Sequence, residues 1–366
     1  MAYKYSHFIP QNTAPKGAKS IGVYNSTGKK ICTIPLGRLT RPKQEKQYSF
    51  GLLSDIHIVD YKPNSAPKFD NALTFFEKEG ALFCCHCGDL TDFGFWYPTN
   101  ELEGISYYDP QSFIEYKKIC QNHNIPVYGC CGNHESYNGY NITGTYTDTY
   151  GATPTLVINN LDKFKEYTGH DLTFTITQGE DLFIFLGQPT YNYVMNDADL
   201  QWLYETLETN RNKRCFVFVH SYIEEDSGDP LDLRENGIFE HWSKTKEAVF
   251  MSLLTHYKNT ILFHGHSHTK YSCQELDENA NYTERNGFKS VHVPSCAHPR
   301  DIINNQTVND FEASEGYLVD VYADCIVLNG MDFINNQPVP LGVYKIDTAI
   351  QIIEANTFTD STGIIK

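Results

Sequence analysis

At 366 residues the chain is long enough for one large core or two modest ones. Its 29 basic and 45 acidic side chains leave a formal charge of −16, which argues against a protein that grips nucleic-acid backbones through a basic face. No apolar run approaches the ~20 residues of a membrane helix, and the opening MAYKYSHFIPQNTAPKG lacks the apolar segment of a secretory signal. The eleven cysteines are odd in number and scattered, several within apolar runs (Cys84, Cys85, Cys87; Cys130, Cys131). That usage fits small buried hydrophobes in a reducing compartment better than a disulfide framework, so a cytoplasmic location is expected.

In chain order, Ser20–Asn25 and Lys30–Pro35 read as two short strands around the turn-rich Ser26-Thr27-Gly28. The polar stretch Arg41–Lys46 follows as a linker. From Tyr48 onward apolar runs alternate with helical patterns: a buried-type strand at Ser49–Ser54, a helix over Phe69–Glu79 and a strand at Ala81–Cys87. Asp109-Pro110 opens a helix with Phe113, Tyr116 and Cys120 on one face, and Ile125–Cys131 is the next strand. Leu172–Thr177 and Leu182–Leu186 flank Gln178-Gly179-Glu180 as a hairpin would. A helix carrying Leu200, Leu203 and Leu207 leads to the strand Cys215–His220, and a helix over Lys246–His256 leads to the strand Thr260–His264. From Ser290 onward the pattern is mostly short strands. The expected architecture is mixed α/β closing with a β-rich part, divided into an N-terminal hairpin and linker (1–46), a main domain (47–330) and a β-rich tail (331–366) packed on it or continuing it. In such sheets sites form where loops leave the carboxyl ends of the strands.

Five polar clusters lie at those ends: Asp55-Ile56-His57, Gly88-Asp89-Leu90-Thr91-Asp92, Gly132-Asn133-His134-Glu135, His220, and Gly265-His266-Ser267-His268. Carboxylate, imidazole and amide oxygen suit borderline to hard divalent ions, and no cysteine within the motifs suggests a thiolate zinc site. Residues two apart on an extended segment point the same way, so Asp55 with His57 and His266 with His268 are each expected to present two ligands to one place. The glycines before Asp89, Asn133 and His266 are expected to allow sharp turns and close approach to an ion. Taken singly, Asp-x-His is usually an exposed loop, Gly-Asp a plain turn and a strand-end histidine a satisfied core residue; five in one order at strand ends point to a metal site.

That order, Asp-x-His, Gly-Asp-x-x-Asp, Gly-Asn-His-Glu, His, Gly-His-x-His, resembles the calcineurin-like metallophosphoesterases over about residues 49–330. The resemblance implies a two-sheet β-sandwich flanked by helices with two divalent metal ions at the strand ends, hydrolysing a small phosphoester through a metal-bridging hydroxide. It implies that Asp55, His57 and His268 hold one ion, that Asn133, His220 and His266 hold the other, and that Asp89 bridges them. His134 is then the non-ligand catalytic histidine acting as general acid, with Asp92 supporting its orientation and charge. The ions would be manganese, iron or zinc.

Departures from the subfamilies narrow the expectation. Phe93 and Cys131 stand where the protein Ser/Thr phosphatases of this superfamily carry arginines, and Asp92 stands where purple acid phosphatases carry a tyrosine ligand. The remaining group includes the cyclic-nucleotide and other small phosphodiesterases. Arg300, in Ser295–Arg300 after the last motif, is a candidate for contacting a substrate phosphate, although an arginine in a loop is more often a surface charge. The aromatic loops Phe93–Tyr97 and Tyr137–Tyr150 could stack a base or sugar, or pack on each other beside the site. Phosphomonoesterase activity at the same site is the alternative. Two further readings are a non-enzymatic scaffold on this fold and an enzyme domain anchored to a larger assembly through its N-terminal hairpin.

Overall fold

A computed structural model describes residues 20–24, 30–35, 42, 44–58, 64–91, 111–136, 154–188, 195–223, 244–275, 280–304 and 306–366. The expected N-terminal hairpin is present: β1 (Ser20–Tyr24) pairs antiparallel with β2 (Lys30–Pro35). Among the described residues no helix is long and apolar enough to cross a membrane.

Two six-stranded sheets form the centre. The first contains β3 (Tyr48–Leu53), β4 (Cys84–His86) and β5 (Val127–Gly129), which are parallel, and then β14 (Glu315–Val321), β15 (Cys325–Asp332) and β16 (Gln337–Asp347), which run antiparallel. Its order is β16-β15-β14-β3-β4-β5, so β16 is an edge strand of the sheet that carries β3. The second is built from β6 (Thr173–Gln178), β7 (Asp181–Leu186), β8 (Cys215–Phe218), β9 (Thr260–His264), β10 (Tyr282–Arg285) and β11 (Phe288–His292) in the order β10-β11-β9-β8-β7-β6. Strands β7, β8, β9 and β11 are parallel there. A separate hairpin joins β12 (Arg300–Ile303) to β13 (Gln306–Asn309).

Continuous apolar strands are expected when both faces of a sheet are covered, and that is the arrangement here. Phe50, Phe183, Phe216, Phe218, Phe263 and Val319 fill the space between the sheets. Helices α1 (Ser65–Lys78) and α2 (Gln111–Asn122) cover the outer face of the first sheet, with Phe69, Leu73, Phe76, Phe113 and Tyr116 in one cluster. A four-residue helical turn, α3 (Asn133–Ser136), and α4 (Pro154–Thr168) follow; the sequence pattern had given no sign of α4. Helices α5 (Asp197–Thr209) and α6 (Lys244–His256) cover the second sheet through Leu200, Leu203, Leu207, Phe250 and Leu254. Asn196 starts α5 with a reciprocal cap: its side chain accepts from the Asp199 amide, while the Asp199 carboxylate accepts from the Asn196 amide. The molecule is thus a helix–sheet–sheet–helix sandwich, the fold class expected.

Cys32 aside, ten cysteines are free thiols, and nine of those ten are buried. At the sandwich end opposite the site, the buried Arg214 guanidinium holds Asp181 through two nitrogens and also donates to the Tyr322 carbonyl at 2.7 Å.

Glu315, at the start of β14, is buried and accepts from the Tyr271 amide at 3.0 Å. Burial lifts its carboxyl from the ordinary 4.5 to about 7. Between those values the folded chain keeps a proton the unfolded chain has lost, so this contribution is fully present below about pH 4.5 and fades as pH rises through 7. Glu315→Gln keeps the acceptor and removes the ionisation. The variant is expected to be more stable than the parent at pH 8, by up to about 3 kcal/mol, and to lose that advantage at pH 4.5. Urea midpoints at the two pH values check this; identical pH slopes for the two proteins would contradict it.

Candidate metal centre

The parallel strands of both sheets end at one edge of the sandwich, and the polar motifs converge there. Asp55 and His57 follow β3, Asp89 follows β4, Asn133 and His134 open α3 after β5, His220 follows β8, and His266 and His268 follow β9. Backbone hydrogen bonds lock these ends together: Asp55 and His57 donate to the Gly88 and Asp89 carbonyls at 3.1 and 2.9 Å, and Gly265 donates to His220 at 3.0 Å.

The backbone that aims these side chains differs from the expected extended segment. Asp55, His57, Asp89, His266 and His268 have φ of 52°, 48°, 50°, 71° and 61°. The other non-glycine residues with positive φ among those described are all asparagines, which tolerate this region best. Left-handed geometry at aspartate and histidine is locally unfavourable and collects at functional sites, where the surrounding structure enforces it. Gly88, before Asp89, has a φ of 99°, as the expected sharp turn requires, whereas the glycines before Asn133 and His266 act otherwise than expected. A Cβ on Gly132 would land on the Asp89 carboxylate and amide, and one on Gly265 on Ser54 Oγ and the Asp55 carboxylate. At these two positions the missing side chain gives room to the carboxylates; the φ of Gly132 and Gly265 lies outside the left-handed region.

Two donor groups result. Asp55, His57, Asp89 and His268 bring one ligand atom each to within 4.8 Å of one another, and Asp89, His220 and His266 do the same. Asp89 belongs to both. Within the first, His57 Nε2 is 3.1 Å from His268 Nε2, and His268 Nε2 is 2.9 Å from Asp55 Oδ1. Within the second, His220 Nε2 lies 3.1 Å from Asp89 Oδ2, 2.8 Å from Asn133 Oδ1 and 3.0 Å from His266 Nδ1. The side chains are buried, and Asp55 Oδ1 and Asp89 Oδ2 have no aligned hydrogen bond. Buried carboxylate oxygens left this way are costly unless a cation meets them. The oxygen and nitrogen donors therefore fit divalent ions.

The protonation states fit as well. Burial would raise the Asp55 carboxyl, but the facing His268 imidazole holds it well below its ordinary value. Asp89 is drawn to about 2, its own burial being outweighed by His220. Burial opposes a charge on His220, yet the Asp89 carboxylate lifts it to about 9. His220 Nδ1–H donates to the Cys87 carbonyl at 2.9 Å, so the proton facing Asp89 is on Nε2, where a cation can replace it.

His134 falls in neither donor group. Its amide donates to Asp89 Oδ1 at 2.9 Å, its Nε2 is 3.7 Å from Asp89 Oδ2, and its side chain is 20% exposed where the ligand candidates are almost fully covered. Arg300 opens β12 beside the last motif: its amide donates to the His268 carbonyl at 2.7 Å, and its guanidinium to Asn309 Oδ1 at 3.1 Å and the Ser267 carbonyl at 3.4 Å. Asp92 and the aromatic loops at 93–97 and 137–150 lie outside the described residues.

Glu135 has a position that its motif did not foretell. One buried carboxylate oxygen accepts from the Gly132 and Asp89 amides at 2.7 and 3.1 Å, the other from the Thr91 amide at 2.9 Å. It ties the two loops that supply Asp89 and Asn133. Burial, then the Asp89 charge, raises its carboxyl to about 7. His298, 5% exposed, was also missed; its ring centroid lies 4.8 Å from that of His57 and 4.5 Å from that of His268.

A dinuclear site at the strand ends of a double-sheet sandwich defines the class. The chain matches the model of the calcineurin-like phosphoesterases over residues 48–270 and belongs to that family. A dimetal phosphatase from Danio rerio is similar in fold, with a TM-score of 0.54 and 14% identity over 84% of this chain and all of that one. A purple acid phosphatase from yellow lupin seeds has a TM-score of 0.51 at 13% identity, over 84% of this chain and 55% of that one. At such identities the likeness concerns the fold. No curated protein is significantly similar to the chain.

Proposed function

We propose that the protein hydrolyses small phosphodiesters with two divalent ions. Asp55, His57 and His268 hold one ion, Asn133, His220 and His266 the other, and Asp89 bridges them. The observation that carries this reading is the membership of Asp89 in both donor groups, with its Oδ2 buried between their imidazoles. When bound, the ions supply an activated water and neutralise the phosphoryl oxygens of an in-line displacement.

The protein's own groups do the rest. Glu135 and the backbone bonds between the loops fix the donors before substrate arrives, so little reorganisation remains for the reaction. His134, partly exposed and outside both donor groups, gives its proton to the departing alkoxide, with its amide bond to Asp89 setting its place. Asp92 is assigned to orient His134. Manganese, iron and zinc all suit this donor set. Arg300 is assigned to a substrate oxygen beside His268.

Diester preference rests on charge. A monoester dianion needs more neutralisation than a diester monoanion, and arginines commonly supply it. Cys131, at one position where relatives carry an arginine, is fully buried with its Sγ directed to the Gly132 and Gln188 carbonyls. Lys68 Nζ is held by the Ala297 and Phe311 carbonyls. With Mn²⁺, kcat/KM is expected to be higher for bis-(p-nitrophenyl) phosphate than for p-nitrophenyl phosphate, and higher for a cyclic nucleotide than for the matching monophosphate. Monoester preference in both pairs would leave only the phosphoesterase assignment standing.

A further inference from the structure

We propose that His298 is an additional nitrogen ligand of the ion held by Asp55, His57 and His268, so that this half of the centre is richer in imidazole than the other. The inference rests on the metal assignment above and extends it by a residue outside the family motifs. His298 is nearly fully buried, and its ring packs against both His57 and His268, tilted by 51° and 71°. The ligand atoms of the three histidines lie within 4.8 Å of one another. An apolar side chain would fill such a place at lower cost if packing were the only demand. Three imidazoles gathered around one point are a donor set for borderline divalent ions.

The chain around His298 is built to hold that position. The His298 amide donates to Ser295 Oγ at 3.0 Å, and the same hydroxyl donates to the Asp55 carbonyl at 2.9 Å. The Ala297 amide also donates to the Asp55 carbonyl, at 3.2 Å. The buried Lys68 ammonium donates to the Ala297 carbonyl at 2.5 Å and the Phe311 carbonyl at 2.6 Å. Phe311 also stacks on the His298 ring, 5.6 Å between centroids and 23° between planes. The turn that carries His298 is thereby fastened directly to a ligand loop.

The two halves then differ chemically. In one, His57 and His268 group with the Asp55 and Asp89 carboxylates and, separately, with the His298 imidazole. The other offers two imidazoles, an amide and the shared carboxylate (His220, His266, Asn133, Asp89). Imidazole favours zinc and iron, whereas oxygen donors suit manganese and magnesium better. The first equivalent of Zn²⁺ added to metal-stripped protein therefore enters the His298 half.

X-ray absorption of the full chain carrying one equivalent of Zn²⁺ tests this, and about three imidazoles per zinc are expected. In a chelator competition, His298→Ala and His298→Gln should each weaken the tight Zn²⁺ step by at least about 10-fold, the lower end of what even indirect partners of a metal contribute. Two imidazoles per zinc in the parent protein, or an unchanged tight step in a folded variant, would overturn the inference. An unchanged tight step with slower turnover would place His298 on the substrate instead. If the variants fail to fold, the imidazole count in the parent protein decides alone. Absence of stoichiometric Zn²⁺ binding would overturn the metal assignment itself, and this inference with it.

Discussion

Asp89→Asn is expected to lower turnover by at least about 10³-fold and to leave fewer than two ions per chain. Bound cations contribute several kcal/mol to stabilising charge in the transition state, and each 1.36 kcal/mol is a factor of ten in rate. Asp89 Oδ2 lies 3.1 Å from His220 Nε2 on one side and 3.7 Å from His57 Nε2 on the other, so its charge serves both donor groups. Asparagine preserves the shape and can still accept the His134 amide through its side-chain oxygen, which separates the loss of charge from the loss of loop geometry. Elemental analysis and turnover of the same preparation check the result. Two ions retained with near-normal turnover would show that Asp89 does not bridge.

His134→Ala has the second largest expected effect, with a different signature. Both ions should remain, because His134 is outside the donor groups among the described residues. Hydrolysis of esters with poor leaving groups should slow by roughly 10²–10⁴-fold, the usual worth of a positioned acid. Nitrophenyl esters, whose leaving groups depart without much help, should suffer less. Equal losses across a series of leaving groups would count against proton donation, and loss of an ion would reassign His134 to the metal.

The strands and the site were legible for related reasons. Short parallel strands covered on both faces must be nearly continuous apolar runs, so Ser49–Ser54 and Thr260–His264 stood out, and the residues just past them were the ones to inspect. The helix expected over Phe69–Glu79 is α1, which starts earlier, at Ser65, and buries Phe69, Leu73 and Phe76. Helix α4 did not stand out, and its start falls in a stretch rich in threonine and asparagine. The expected pairing of Asp55 with His57, and of His266 with His268, rested on an extended backbone. The left-handed φ values show a different route to convergence, and no local sequence signal marks a left-handed aspartate or histidine.

Glu135 and His298 illustrate a second limit. Glu135 was visible as part of a motif, but its service to the amides of Thr91 and Asp89 depends on a contact 44 to 46 residues away in the chain. His298 lies 241 positions from His57 and reaches it only because the Ser295–Arg300 segment crosses the ends of β3 and β9. Its signal was a histidine soon after a strand following the last motif, too common a pattern to single out.

The most direct test of the dinuclear assignment is a titration of chelator-stripped protein with Mn²⁺, read as turnover of bis-(p-nitrophenyl) phosphate. Activity should be absent without metal and rise to a plateau as two ions per chain are bound. Turnover that persists in the stripped protein, or saturates at a single ion, would contradict a two-metal phosphoesterase.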